Sequence, residues 1–185
     1  MNFQFYLEKL YDSENFAKFL KENPDAYPTS CFFEIDLSHL KNPKAKNQDK
    51  QHFDYYVPSI NKLFSFKLEF SEEQIEPIQQ EILQANNFPK LALNYSFDFD
   101  KIKSLIENEM QKQKISNNIE KMLFSLQKLE KDNKDYLIGT IFLSNLAMLK
   151  IKIDIQDMKI TEFKKQSFMD MMNIFKKNKP QNSEN

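Results

Sequence analysis

The chain has 185 residues, with 26 basic and 27 acidic side chains and a formal net charge of -1. Nothing in that balance draws it to a polyanion. Every basic residue is lysine, so the bidentate guanidinium forks that read guanine edges or clamp phosphates are missing, which argues against sequence-specific nucleic-acid binding. The single glycine, Gly139, sits in an apolar run, which excludes the glycine-rich turns of phosphate loops and nucleophile elbows.

Helical spacing of Phe3, Leu7, Leu10 and Tyr11, then of Phe16, Phe19 and Leu20 after Asp12 and Ser13, predicts two short helices that stop at Asn23 and Pro24. CFFEIDL from Cys31 reads as a half-buried strand with Phe33, Ile35 and Leu37 on one face. The lysine-rich stretch His39 to Lys50 reads as a solvated loop. FDYYV and LFSFKLEF then form a hairpin around Pro58 to Lys62. Glu72 to Pro89, rich in Glu and Gln, reads as part of a linker with at most a turn or two of helix.

Beyond Asp98 and Asp100, the positions Ile102, Leu105, Ile106, Met110 and Ile115 mark one face of a longer helix. Strands are expected at Ile119 to Leu129, Tyr136 to Leu143 and Ala147 to Ile155. The uncharged run Tyr136 to Leu149 is shorter than the roughly 20 residues of a membrane-spanning helix. MNFQFYLEKL carries Glu8 and has no basic leader, so it does not read as a secretory signal. A lone cysteine suits a reducing interior, and the expected location is cytoplasmic.

SINKLFSFKLEF (59–70) lies over SNLAMLKIKIDI (144–155) without a gap, Phe66 falling on Ile151, and the upstream helices align within one residue. The sequence thus predicts an α+β fold of two tandem units, each a helix on a three-stranded antiparallel meander. The units span residues 1–71 and 98–163, joined by a linker at 72–97. A C-terminal amphipathic helix at 164–178 and a disordered tail at 179–185 follow. The ending IKIDIQDMKITEF resembles the close of a PepSY-type domain, with Asp154, Asp157, Lys159 and Ile160 at the matching positions and Met158 where that family's turn usually carries glycine. The resemblance covers roughly residues 98–163, with a degenerate copy in 12–70, and implies a non-catalytic regulatory or binding module. The chain as a whole also resembles small uncharacterised archaeal proteins, a likeness that implies no activity.

Among chemistry-bearing residues, Cys31, Asp36, His39, His52 and Asp54 flank the lysine loop and would form a Cys-His or His-Asp cluster if the hairpin brought them together. Nothing supplies oxyanion donors for such a cluster, and the bland reading is a buried thiol with surface imidazoles. Glu72, Glu73, Glu76 and Glu81 lack calcium-loop spacing and read as solvated charge. No catalytic residue, cofactor or metal site is expected. Phe168, Met171, Met172 and Phe175 form a soft apolar stripe with lysines on either side, a candidate surface for a protein partner or for peripheral membrane contact, although packing on its own domain is the default for such a stripe. The expected function is a non-enzymatic protein-binding or regulatory module. Alternatives are a binder of an apolar small molecule between helix and sheet, lined by Phe33, Phe64, Phe66 and Phe70, and an unclassified hydrolase using Cys31 or His52.

Overall fold

A computed structural model describes residues 2–37, 49–68, 77–80 and 88–167. Among them are three α-helices: α1 (Phe3–Tyr11), α2 (Glu14–Glu22) and α3 (Phe99–Lys112). Eight strands accompany them: β1 (Tyr27–Asp36), β2 (Lys50–Val57), β3 (Lys62–Leu68), β4 (Pro77–Gln80), β5 (Ile119–Leu129), β6 (Lys134–Leu143), β7 (Ala147–Asp154) and β8 (Lys159–Ser167). All pair antiparallel in one sheet of order β4-β3-β2-β1-β5-β6-β7-β8, so the chain is α+β. Two series of hairpins grow outward from a central pair, β1 and β5, whose ladder runs from Ser30↔Gln127 to Asp36↔Lys121.

Each helix starts where a short polar side chain accepts from an orphan backbone N–H. Asn2 accepts from Gln4, Ser13 from Phe16 and Asp98 from Asp100. Asp12 closes α1. All three helices turn their apolar faces to the same side of the sheet. Phe3 stacks on Phe97 at 4.8 Å and meets the Phe33 ring edge-on at 5.9 Å. Phe16 and Phe19 set their rings against Phe66 at 5.0 and 4.9 Å, and Phe99 of α3 lies 4.9 Å from Phe33. Phe3, Phe16, Phe33, Phe53, Phe66 and Phe124 are fully buried, each removing enough apolar surface from water to favour folding by about 2 kcal/mol.

Gly139 is in this core, not in a turn. A Cβ on it would lie 2.8 Å from two ring carbons of Phe124 and 2.9 Å from Ile151 Cγ1, so the missing side chain is what lets β5 and β7 bring large residues together over β6. Positive φ falls instead on Asn61, Lys114, Asn133, Asn145, Leu146 and Met158. At the end of α3, for example, Lys114 takes the left-handed conformation (φ 56) that lets Ile115 N–H close back on the Met110 carbonyl at 2.8 Å.

The edges depart from the sequence reading. Pro77–Gln80, inside the stretch read as linker, forms β4, pairing Pro77 with Phe66 and Ile78 with Ser65. The strand is short and starts at a proline, both features of an edge, and it satisfies backbone groups of β3 that would otherwise face solvent. Residues 88–97 are tied down along one end of the sheet. Leu91 N–H donates to the Pro28 carbonyl at 2.8 Å, and Phe3 N–H donates to the Phe97 carbonyl at 3.0 Å. At the opposite edge Lys164 to Ser167 continue β8 and are not the start of a helix, because they pair with β7 from Lys150 to Ala147. Each meander therefore carries a fourth strand. The rest of the expected C-terminal helix and the tail at 179–185 lie outside the described residues.

Candidate functional site

Strand alternation gives the sheet a second face, opposite the helices. At its centre Leu123 of β5 has Phe32 of β1 and Ile138 and Phe142 of β6 as diagonal neighbours, since Glu34 pairs with Leu123, Phe32 with Ser125, Ser125 with Ile138 and Lys121 with Phe142. All four are half-buried. Lysines surround them. Lys121 donates to Glu34 at 2.7 Å, Lys152 Nζ lies 4.9 Å from the centre of the Tyr136 ring, and Lys150 of β7 pairs directly with Lys164 of β8. Lys150 and Lys164 are both exposed, and like charges directly opposite one another on a sheet destabilise it. Lys164 is offset by Glu162 at 2.9 Å, and its proximity holds the Glu162 carboxyl below the usual range.

On the same face, toward β3, Asp54 gathers two hydroxyls. Ser30 Oγ donates to Asp54 Oδ2 at 2.6 Å and Ser65 Oγ donates to Asp54 Oδ1. His52 Nε2 is 3.7 Å from Asp54 Oδ2, and its ring stacks on Phe32 at 5.1 Å. The serine protons thus go to a carboxylate and not to the imidazole, the reverse of what activates a hydroxyl nucleophile.

Cys31 does not join this group. It sits on the helix side of β1, fully buried and paired in register with Phe53, while His52 and Asp54 alternate to the second face. Burial, with a smaller contribution from the Asp54 charge, pushes the Cys31 thiol far above its usual range, so it is held as an inert thiol. The structure therefore separates Cys31 from His52 and keeps His52 beside Asp54. The Asp36 backbone N–H donates to Asp49 Oδ1 at 2.8 Å. His39, Glu72, Glu73, Glu76 and Glu81 lie outside the described residues, as do Phe70, Phe168, Met171, Met172 and Phe175. Phe33 and Phe66 are core, and Phe64 is partly buried against it.

At the end of the sheet where β6 begins, Tyr95 Oη donates to Asp135 Oδ2 at 2.8 Å and Lys134 Nζ donates to Asp154 Oδ2 at 2.9 Å. The Lys134 hydrogen bond is the main cause that holds Asp154 below the usual carboxylate range, aided by backbone N–H groups of Asp157 and Gln156. No group of three or more His, Cys, Asp or Glu side chains among the described residues is placed to hold a metal. No described helix is long and apolar enough to cross a membrane.

No family model, curated protein or solved structure matches the chain. The surface group Phe32, Leu123, Ile138 and Phe142 was not singled out by sequence. Its signal is present, since each is apolar at a position whose neighbours in sequence face the core, but which parity faces inward becomes visible only once the ladders are known.

Proposed function

We propose that the chain is a non-enzymatic protein-binding module of the cytoplasm that receives its partner on the second face of the sheet. The observation that carries this is the apolar group centred on Leu123, bordered by the opposed pair Lys150 and Lys164. A partner that sets apolar side chains over Leu123 and a carboxylate between the two lysines would bury half-exposed area and relieve a like-charge contact at once. The test is quantitative capture of proteins from source-cell extract on immobilised full-length chain, with Leu123→Glu and Lys150→Glu as comparisons and far-UV circular dichroism as the folding control. A partner retained by the wild type and lost from both folded variants is expected. Equal retention of every captured protein by both variants would overturn the assignment.

The same reading takes the chain as a duplication. If Phe66 corresponds to Ile151, the ladders carry the correspondence inward through Phe53 and Gly139 to Cys31 and Phe124. These two flank the antiparallel pair Phe32↔Ser125, which then lies on the two-fold axis relating the halves. Volumes along the two rows compensate: small Cys31 beside large Phe53 in one, large Phe124 beside Gly139 in the other. The PepSY-type likeness of 98–163 gains support from Met158, whose φ of 51 is the left-handed conformation for which glycine is the natural occupant.

A further inference from the structure

One end of the second face is well covered. Phe142, Met148 and Gln166 form a row in register across β6, β7 and β8. Met148 is 4% exposed, yet it stands outside the main core cluster, and the three described helices all pack on the other side of the sheet. Beside it, Gln166 Oε1 is buried with no hydrogen-bond partner among the described residues. β8 ends one residue later at Ser167, which pairs with Ala147.

We propose that residues 168–175 are the occupant of this end of the face, folded back over Met148 and Phe142. Phe168 is the next residue of the same sequence parity as Gln166, and the sequence there, FMDMMNIF, is apolar apart from Asp170 and Asn173. Asp170 supplies a second negative charge for the Lys150 and Lys164 pair, of which Glu162 offsets only one, and Asn173 a donor suited to an orphan amide oxygen. The stretch 38–48, which follows Leu37 at the end of β1, is mostly polar and lysine-bearing and has neither an acidic residue nor a run of large apolar ones. Phe142 is shared by this row and by the proposed partner surface, so the segment regulates that surface by competing with the partner for it; this regulatory part rests on the proposed function, whereas the docking does not.

The experiment is peroxide oxidation of full-length chain and of a chain ending at Ser167, followed by peptide mass spectrometry. Met122, which is 1% exposed on the helix side, serves as the internal folding control. Truncation should raise Met148 oxidation roughly fivefold with Met122 unchanged, as expected if reactivity follows exposure, and added peptide 168–185 should restore protection. Slow oxidation of Met148 in a truncated chain whose Met122 also stays slow overturns the docking. If truncation exposes Met122 as well, the full-length double variant Met171→Glu, Met172→Glu decides. Faster Met148 with slow Met122 supports the docking; slow Met148, or loss of protection at both, overturns it. Because oxidation needs no partner, Met148 opening while Leu123→Glu retains every captured protein would keep the docking and remove the partner reading.

Discussion

Substituting Gly139 by alanine tests whether β6 carries its glycine for space. The added methyl would sit 2.8 Å from Phe124 Cδ1 and Cε1 and 2.9 Å from Ile151 Cγ1. Both neighbours must withdraw by about 0.7 Å to reach ordinary carbon contacts. Neither has room. Phe124 is fully buried with the Phe99 ring 6.1 Å away, and Ile151 is 2% exposed. Overpacking of this kind costs about 1–3 kcal/mol, and the smaller freedom of alanine in the unfolded chain returns about 0.5 kcal/mol. The net loss of about 0.5–2.5 kcal/mol should lower the melting temperature of a chain of this size by about 1–10 °C. Urea unfolding followed by far-UV circular dichroism should show a lower midpoint with an unchanged slope. In a Phe124→Leu background the cost of alanine should shrink by about 1 kcal/mol, because the ring that it strikes is gone. An alanine variant as stable as the wild type, or a double variant with no coupling, would refute the spatial argument.

Leu146→Gly should act in the opposite direction. Leu146 is 71% exposed and, with Asn145, holds positive φ in the β6–β7 turn, so glycine removes left-handed strain and little packing, for a gain of about 0.5–1 kcal/mol read as a higher urea midpoint. A lower midpoint would show that the leucine side chain contributes more than its exposure allows. Lys134→Gln should change the acid limb of stability. The Asp154 pKa is depressed in the fold chiefly by Lys134, so this contribution is complete above the unfolded aspartate range and lost as pH falls through the folded value. The gap in melting temperature between wild type and variant should therefore narrow below about pH 4. A gap that stays constant from neutral pH to about pH 2 would exclude the ion pair as its source.

Strong local periodicity is what made parts of this fold legible from sequence. The 102, 106, 110 stripe and the Asp98 cap give α3, and the alternation of Phe64, Phe66 and Leu68 gives β3, because a single buried face imposes its period on the residues. β4 and β8 escaped for the converse reason. An edge strand is paired on one side only and buries little, so Pro77–Gln80 and Lys164–Ser167 carry polar and lysine residues that look like linker or helix. The candidate surface was hidden differently. β5 and β6 are apolar at both parities, as Leu123 beside Phe124 and Ile138 beside Leu137 illustrate, and alternation then gives no sign of which side is core. Likewise Cys31 and His52 look adjacent on a hairpin until the pleat sends them to opposite sides.

The central pairing of β1 with β5 also bears on how the chain is made. During synthesis the inner edge of β1 emerges with β2 and β3 available on one flank, but its other partner is about ninety residues further along, which at usual elongation rates means roughly 5–20 seconds of waiting. Throughout that interval Cys31, Phe33 and Ile35 border an open row of backbone donors and acceptors, a template for any passing strand. A nascent first half thus presents a strand template for as long as β5 is unmade, and the seam that unites the two halves of the finished sheet cannot begin to close before residue 119 has been added.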